Sequence, residues 1–254
     1  MRMHSNTILI TGGSSGIGKG LAEAFHKLGN QVIISGRREG MLRDICAANP
    51  GMRCFSLDVM DPSSVRRVAA EVIKQFPQLN CVCNNAGVQK QHDFSADQQL
   101  DEQALLNEIH TNLLGVIRVA AAFVPHLKKR ENAVLVNVSS GLAFVPFARY
   151  PVYCATKAAV HSLSLSLRHQ LKDSRVKIIE LIPPYVETEL GGVTKAKDLG
   201  NSGGPKPMPL DAFIAETMKE LAGDADEVAI ANAKNLMGAS GPESVKKAFA
   251  VMNR

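Results

Sequence analysis

The stretch Thr11-Gly12-Gly13-Ser14-Ser15-Gly16-Ile17-Gly18 decides the fold, because it joins two segments of different periodicity. Before it runs Thr7-Ile8-Leu9-Ile10, a short apolar segment typical of a buried strand. The apolar residues within and after it are spaced three or four apart: Ile17, Leu21, Ala24 and Leu28. That spacing predicts one buried helix face. Strand, glycine turn and helix in this order predict a phosphate-binding loop, since glycines allow close backbone approach and the helix N-terminus presents unpaired N–H groups.

The glycine spacing of this loop, Gly12-x-x-x-Gly16-x-Gly18, differs from the usual G-x-G-x-x-G of dinucleotide-binding loops. A turn rich in glycine and serine also occurs as an ordinary turn. Its position between a strand and a helix favours dinucleotide binding. The loop residues predicted to contact the dinucleotide are Gly12, Ser14, Ser15, Gly16, Ile17 and Gly18.

The composition is that of an ordinary globular protein. Of the 254 residues, 45% are hydrophobic and 21% are charged. We therefore expect a single NAD(P)-binding domain over residues 1–254, since no linker or repeat divides the first 190 residues. The net charge of +5 suits an anionic small ligand. The sequence has no run of five Lys or Arg residues, which argues against nucleic acid as a partner.

Targeting and metal-binding signals are missing from the sequence. Its longest apolar stretch, residues 116–127, is interrupted by Arg118 and His126 and cannot span a bilayer. Five cysteines without a C-x-x-C spacing are typical of thiols in a reducing compartment, so we expect a cytoplasmic protein without a membrane partner. His161 and His169 lie eight residues apart on one predicted helix, an arrangement that predicts no metal site.

Strand-like and helix-like segments alternate along the chain. The predicted strands are residues 7–10, 31–35, 53–57, 79–83, 133–138 and 175–182, with helix patterns between them. This alternation predicts an α/β fold of the Rossmann type, a doubly wound parallel sheet in a single domain. After residue 190 glycine and proline become frequent, and helix patterns resume near Phe213. Residues 189–223 are predicted to form a substrate lid or insert in this C-terminal helical segment, with a plain surface loop as the alternative.

Polar and small residues follow the predicted strands at the points where the strands end. Asp58 follows the third strand and Asn84-Asn85-Ala86-Gly87 the fourth, while Ser139-Ser140-Gly141 follows the fifth. Residues 183–188 follow the sixth. Ligands of doubly wound sheets bind at the carboxyl ends of the strands. We therefore expect these residues and the glycine loop to meet at one edge of the sheet.

The second strand ends in Ser35-Gly36-Arg37-Arg38, where an NAD site would be expected to place a carboxylate for the ribose 2′-hydroxyl. Gly36 supplies no carboxylate, and Arg37 supplies a cation suited to a 2′-phosphate. Arg37 and Arg38 therefore predict NADP(H) as the cofactor. The alternative is that both arginines belong to a solvated helix start.

Tyr153 and Lys157 lie at i and i+4 at the start of a predicted helix and therefore share one face of it. An ammonium beside a phenol stabilises the phenolate, so we expect Lys157 to lower the pKa of Tyr153 toward the range of a working proton donor. Ser140, thirteen residues before Tyr153, is placed to hydrogen-bond the same substrate oxygen. The alternative is an ordinary surface pair of Tyr and Lys.

Taken together, these motifs resemble the short-chain dehydrogenase/reductase family in its short single-domain form, and in detail its DltE-like branch. The resemblance runs from Thr7 to about Thr188. It rests on Thr11-Gly-x-x-x-Gly16-x-Gly18, Asn84-Asn85-Ala86-Gly87, Asn112-Leu113-Leu114-Gly115, Ser140 and Tyr153-x-x-x-Lys157. The sequence departs from the family at Pro183-Pro184, where Pro-Gly is usual.

The resemblance implies a role for each matching residue. Tyr153 would be the general acid/base, Lys157 would bind the nicotinamide ribose and Ser140 would polarise the substrate carbonyl. Asn112 would hold a water molecule of the proton relay; alternatively, it only kinks a long helix. Asp58 would hydrogen-bond the adenine. The other implied cofactor contacts are Val59, Asn85, Ala86, Gly87, Pro183, Val186 and Thr188.

Two functions of different classes fit these residues. The first is an NADPH-dependent carbonyl reductase, or alcohol dehydrogenase in reverse, acting on a small-molecule carbonyl or alcohol. The second is a non-catalytic NADP(H)-binding sensor, which would not need all four catalytic positions. Because all four are filled, the enzyme is favoured.

The sequence does not name the substrate. We expect its pocket to be formed by Gln89, Phe144, Val145, Phe147, Arg149 and Tyr150 with the segment after Thr188. The family resemblance further implies a homodimer or homotetramer.

Overall fold

The computed structural model describes residues 1–95, 99–190, 206–239 and 241–253, with the backbone alone at Met252. The described strands are β1 Thr7–Thr11, β2 Gln31–Gly36, β3 Arg53–Ser56, β4 Cys81–Asn84, β5 Ala133–Val138, β6 Val176–Ile182 and β7 Glu227–Ala229. They form one parallel sheet in the order β3-β2-β1-β4-β5-β6-β7. The strand order reverses between β1 and β4, and such a switch point opens a crevice at the carboxyl ends of the strands.

The helices lie in the connections and along the C-terminal part of the chain. They are α1 Gly16–Lys27, α2 Glu39–Ala48, α3 Pro62–Gln75, α4 Glu102–Ile109, α5 Gly115–Leu127, α6 Pro151–Gln170, α7 Leu210–Leu221, α8 Ala233–Met237 and α9 Pro242–Met252. A π-helical turn, His110–Leu114, joins α4 to α5, and a 3₁₀ turn, Gly141–Ala143, follows β5. None of the helices that the structure describes combines the length and the apolar character needed to cross a bilayer.

Both faces of the sheet are covered by apolar side chains. On one face Ile8 and Ile10 pack with Leu21 of α1 and Phe213 of α7. On the other face Leu9 belongs to the cluster that includes α3 and α5. Successive side chains of a strand point to opposite faces, so β1 serves both cores. The predicted doubly wound Rossmann-type sheet in a single domain is confirmed.

The structure corrects the predicted elements in two places. The apolar spacing from Leu105 to Leu127 predicts one long helix. The structure has two helices there, joined by the π-helical turn His110–Leu114. β7 and α8 were not predicted, since a three-residue strand and a five-residue helix are too short to show a periodic spacing of apolar residues. Of the predicted lid, residues 189–223, the part from 191 to 205 lies outside the described residues.

Candidate active site

A cleft of about 870 Å³ lies at the carboxyl ends of the strands. Its lining includes every residue predicted to contact a cofactor: Gly12, Ser14, Ser15, Gly16, Ile17, Gly18, Arg37, Arg38, Asp58, Val59, Asn85, Ala86, Gly87, Tyr153, Lys157, Pro183, Val186 and Thr188. Ser140 lines the same cleft. Residues that are up to about 180 positions apart in the chain thus line one cleft, because most of them follow strands of the same parallel sheet. Tyr153 and Lys157 reach it from α6.

The glycine loop keeps its backbone open toward the cleft. Gly12 and Gly16 have φ angles of +68° and +53°, in the left-handed region that favours glycine. A Cβ atom on Gly18 would lie 2.4 Å from Asn85 Nδ2. Asn85 Nδ2 donates to the carbonyl oxygens of Thr11 and Gly12 at 2.9 and 3.3 Å. The end of β4 therefore holds the loop in place through a side chain that only fits beside glycine.

The N-terminus of α1 has the features of an anion site. Its N-cap residue Ser15 makes no side-chain capping hydrogen bond, and the first turn carries no acidic residue. Arg38 Nη2 donates to Ser14 Oγ at 3.0 Å and also to Ser15 Oγ. Unpaired helix N–H groups beside a guanidinium suit a phosphate group. The residues present therefore fit the phosphates of a dinucleotide.

The other predicted cofactor contacts differ in how freely their side chains face the cleft. Asp58 is half-buried, and its Oδ1 accepts a hydrogen bond from Met60 N at 2.9 Å. Thr188 lies against the glycine loop, 3.3 Å from the position that a Cβ atom on Gly16 would take. Val186 is buried and pairs with Met208 in an isolated parallel bridge. The segment after β6 thus closes one side of the glycine loop.

Ser140, Tyr153 and Lys157 meet at the β5–α6 side of the cleft. Tyr153 and Lys157 lie in the first two turns of α6, and both side chains are buried. Lys157 Nζ lies 5.6 Å from the centroid of the Tyr153 ring and donates to the carbonyl oxygen of Val138 at 2.8 Å. A hydrogen bond joins the side chains of Ser140 and Tyr153. The structure therefore brings together three of the four predicted catalytic residues.

Burial sets the pKa of both titratable residues. It raises the pKa of Tyr153, and the hydrogen bond with Ser140 only partly opposes this. The predicted net fall of the Tyr153 pKa is therefore wrong for this structure, in which burial of the phenol raises it. Burial also lowers the pKa of Lys157 to about 8, against the opposing charges of Glu180 and Glu108. The sequence could not show this, because desolvation depends on residues from several elements.

Asn112, the fourth predicted catalytic residue, lies behind the cleft and not in its lining. It is fully buried on the π-helical turn. Its Oδ1 accepts from Val88 N at 2.8 Å, while its Nδ2 donates to Val88 O at 2.8 Å and to Thr156 Oγ1 at 3.2 Å. Asn112 thus ties the backbone after β4 to α6. π-Bulges are frequent at functional sites.

The predicted substrate wall is only partly correct. Of the residues named for it, Gln89 and Phe147 line the cleft. The others lie outside its lining: Phe144, Val145, Arg149 and Tyr150. The 3₁₀ turn at Gly141–Ala143 redirects the chain, so that Phe144 packs against the His161 ring with centroids 4.6 Å apart. Leu190 and Met208, from the segment after Thr188 that was also expected to form the pocket, do line the cleft. The apolar lining residues that were not predicted include Leu142, Tyr185 and Leu236.

Two buried carboxylates beside the site were also missed, each with a histidine partner. His92 Nε2 lies 2.9 Å from Glu108 Oε2, and His161 Nδ1 lies 2.8 Å from Glu180 Oε2. Both glutamates are fully buried. A glutamate within the apolar run Ile178-Ile179-Glu180-Leu181-Ile182 was a signal that could have been read from the sequence.

The chain is similar to known proteins over most of its length. A family model described as short chain dehydrogenase matches residues 6–198. The chain is 46% identical to the uncharacterized oxidoreductase DltE of Bacillus subtilis over 199 residues, 78% of each chain. It is 31% identical to the NADP-dependent 3-hydroxy acid dehydrogenase of Schizosaccharomyces pombe over 198 residues, 76% of each chain.

A solved structure is similar over nearly the whole chain. It is a short chain dehydrogenase from Burkholderia cenocepacia J2315 in complex with NADP, with a TM-score of 0.83 and 25% sequence identity. The alignment covers 98% of this chain and 99% of the other. The similarity therefore extends to the C-terminal helices that follow the region matched by the family model.

Proposed function

The chain belongs to the short-chain dehydrogenase family and is thus an oxidoreductase, and from this premise we propose that it is an NADPH-dependent carbonyl reductase. It reduces a ketone or aldehyde to the alcohol and catalyses the oxidation in reverse. One observation carries the proposal: Ser140, Tyr153 and Lys157 line the same cleft as the glycine loop. That loop leads into α1, whose N-terminus has no side-chain cap and lies beside Arg38. This arrangement joins a proton donor to an anion site in one cavity.

The proposed roles of the catalytic residues follow from their contacts. Bound NADPH supplies a hydride for the carbonyl carbon. The Tyr153 hydroxyl protonates the carbonyl oxygen, and the Ser140 hydroxyl donates a hydrogen bond to the same oxygen. Lys157 places its ammonium beside Tyr153 and binds the ribose. Asn112 hydrogen-bonds both the Val88 backbone and Thr156 of α6, and thus holds the backbone after β4 in place beside α6.

The raised pKa of Tyr153 supports the reductive direction. A phenol with a pKa above its ordinary value is protonated at neutral pH, which is the form that reduction requires, although it is a weaker acid than an ordinary phenol. Oxidation of an alcohol needs the phenolate instead. We infer that reduction is favoured at neutral pH and that oxidation becomes faster as the pH rises.

The NADPH preference is argued from the residues at the end of β2. Gly36 brings no carboxylate to the cleft, while Arg37 and Arg38 both line it. The Arg38 guanidinium contacts Ser14 Oγ at 3.0 Å, next to the N-terminus of α1. A 2′-phosphate at this place would gain charge-assisted hydrogen bonds that NADH does not offer.

The apolar lining beside Tyr153 favours a carbonyl substrate with an apolar portion. Leu142, Phe147 and Leu236 supply this surface, and Lys90 and Lys206 add cations to the lining. An acidic group on the substrate suits these cations. The similarity to a 3-hydroxy acid dehydrogenase points the same way, so 3-keto acids belong in the substrate panel.

We further propose a cytoplasmic homo-oligomer. All five cysteines are free thiols, which suits a reducing compartment. Ile117 on α5 and Leu165 on α6 are large apolar side chains that are 39% and 44% exposed. The face that carries them is the proposed subunit interface of a homodimer or homotetramer.

The test is the change in absorbance at about 340 nm, where reduced nicotinamide absorbs, with NADPH or NADH and a panel of aldehydes, ketones and keto acids. We expect turnover with NADPH, and we expect Tyr153→Phe to lower kcat by about 10²- to 10⁴-fold. Arg38→Ala should raise the KM for NADPH about tenfold with little effect on NADH.

The outcomes separate the parts of the proposal. Turnover that prefers NADH would refute the cofactor preference and leave the reductase. Unchanged turnover in Tyr153→Phe would refute the role of Tyr153. NADPH binding without turnover on any substrate of the panel would favour a non-catalytic NADP(H) sensor.

A further inference from the structure

Glu180 is a fully buried carboxylate in the middle of β6. Its Oε1 accepts a hydrogen bond from Ser139 Oγ, and its Oε2 lies 2.8 Å from His161 Nδ1. Burying a carboxylate is costly unless hydrogen bonds and opposite charge compensate it. Glu180 is therefore held by partners from two other elements, and those partners are next to the candidate catalytic residues.

The hydrogen bonds of Glu180 connect the three elements that frame the site. Ser139 directly precedes Ser140 at the end of β5. His161 lies one helical turn beyond Lys157 on α6. Glu180 itself lies on β6, between them. A single side chain thus fixes the end of β5 and the third turn of α6 relative to the sheet.

The charge of Glu180 also acts on Lys157. Burial lowers the pKa of Lys157 to about 8, and Glu180 is the first of two carboxylates that oppose this, before Glu108. In the described part of the chain these two glutamates are the charged groups that act on Lys157, and the Tyr153 phenol lies beside it. Without Glu180, less negative charge would compensate the buried ammonium.

We propose that Glu180 is a positioning residue of the catalytic centre: through Ser139 and His161 it holds Ser140 and Lys157 in register, and its charge stabilises the Lys157 ammonium. The role of Lys157 in this inference rests on the proposed function. Glu180 does not touch the substrate, since it is fully buried and does not line the cleft. It acts only through its neighbours.

A divalent metal ion at this place is the competing interpretation. Ligand atoms of His161, Glu180 and Glu227 lie within 4.8 Å of one another. Glu227, however, is already paired with Arg168, whose Nη1 lies 3.4 Å from Glu227 Oε1. That guanidinium supplies the positive charge that a metal ion would bring, so His161 and Glu180 are assigned as a hydrogen-bonded pair.

The experiment compares Glu180→Gln with Glu227→Gln in the full-length protein. Glutamine keeps the shape of the side chain and can accept from Ser139, so the first variant removes mainly the charge. Glu227→Gln is the matched control, because it neutralises a partly exposed carboxylate near the same histidine. The pH dependence of kcat/KM for carbonyl reduction is measured for both variants and the wild type.

In the wild type, we expect activity to fall as Lys157 loses its proton above pH of about 8. Glu180→Gln should move this alkaline limb to lower pH by about one unit. It should also lower kcat more than it changes the KM for the substrate, since Glu180 lies outside the cleft. Glu227→Gln should leave the limb in place. An unshifted limb and an unchanged kcat in Glu180→Gln would overturn the proposal.

A second readout needs no turnover. ¹³C NMR of labelled lysine side chains, with the Lys157 signal assigned by Lys157→Arg, gives the pKa of Lys157 directly. A lower value in Glu180→Gln supports the inference even if no substrate is found, while an unchanged value refutes it even if the enzyme is active. The failure of the proposed function is thus distinguishable from the failure of this inference.

Ser139→Ala covers the case in which Glu180→Gln does not fold. This variant removes one hydrogen bond of Glu180 and keeps its charge. We expect a fall in kcat of about threefold to tenfold with the alkaline limb unmoved. A wild-type kcat in Ser139→Ala would refute the positioning through β5. Wild-type activity that depends on added zinc, and is lost in both glutamate variants, would favour the metal site instead.

Discussion

At the scale of single residues, Lys157 shows how function opposes stability in this protein. Its ammonium is buried, and burial lowers its pKa from the ordinary 10.5 to about 8. Below pH 8 the native state therefore carries a charge that water would solvate better, although Glu180 and Glu108 reduce that cost. In the proposed function, this charge acts beside Tyr153, whose ring centroid lies 5.6 Å from Lys157 Nζ.

The lowered pKa of Lys157 makes the free energy of unfolding depend on pH. Between pH 8 and 10.5 the unfolded chain binds more protons at Lys157 than the native state does. The contribution of Lys157 to the free energy of unfolding thus rises with pH between pH 8 and 10.5. Below pH 8 Lys157 destabilises the native state to the full extent.

We therefore predict that Lys157→Met, a change of similar length without charge, raises the Tm at pH 7 by about 2–4 °C while abolishing activity. The gain should shrink as the pH rises from 8 to 10.5. Scanning calorimetry at several pH values measures it. The exposed Lys74→Met on α3 is the control and should show no such pH dependence. A Tm gain in Lys157→Met that is constant up to pH 10.5 would contradict the assignment.

At the scale of elements, the turn between β1 and α1 depends on close packing and not only on flexible glycines. A Cβ atom on Gly18 would lie 2.4 Å from both Asn85 Nδ2 and Gly12 O. Neither neighbour can move freely, because Asn85 Nδ2 is bonded to the carbonyl oxygens of Thr11 and Gly12. The loop and the end of β4 are therefore one packed unit.

We predict that Gly18→Ala lowers the free energy of unfolding by about 1–3 kcal/mol through overpacking. It should also weaken NADPH binding by more than about tenfold, since the loop has to shift away from Asn85. Urea denaturation and fluorescence titration with NADPH measure the two effects. The matched control is Gly40→Ala on α2, where a Cβ atom meets nothing within 4 Å. That change should stabilise the protein by about 0.5–1 kcal/mol and leave binding unchanged; equal behaviour of the two variants would contradict the packing argument.

At the scale of the whole molecule, the exposed apolar residues of α5 and α6 carry a prediction about assembly. We expect the wild type to behave as a dimer or tetramer of 27.3 kDa chains in light scattering after size exclusion. The double variant Ile117→Glu/Leu165→Glu should shift it to the monomer, since two buried charges are costly at an apolar interface. Leu28→Glu replaces a side chain that is 47% exposed at the end of α1 and should not change the mass. A monomeric wild type would refute the proposed oligomer.

Several features of the fold and of the candidate site could be predicted from the sequence because they depend on local patterns. The turn from β1 to α1 follows from glycines that lie between a short apolar run and a segment with helical spacing of its apolar residues. The order of the strands and helices followed from the same periodicity, and β5 was predicted at its observed bounds, Ala133–Val138. The shared edge of Gly12, Asp58 and Ser140 followed from the rule that parallel strands end together.

Other features were decided only by the tertiary structure. The pKa of Tyr153 is raised and not lowered, because burial of the phenol among several elements outweighs the opposing effect of Ser140. Asn112 is buried on a π-helical turn that the spacing of apolar residues did not predict. Glu180 became a partner of Ser139 only when β5 and β6 paired. Desolvation and charge pairing sum over neighbours that are distant in sequence, so the chain alone determined which residues meet, and packing determined the electrostatics under which they act.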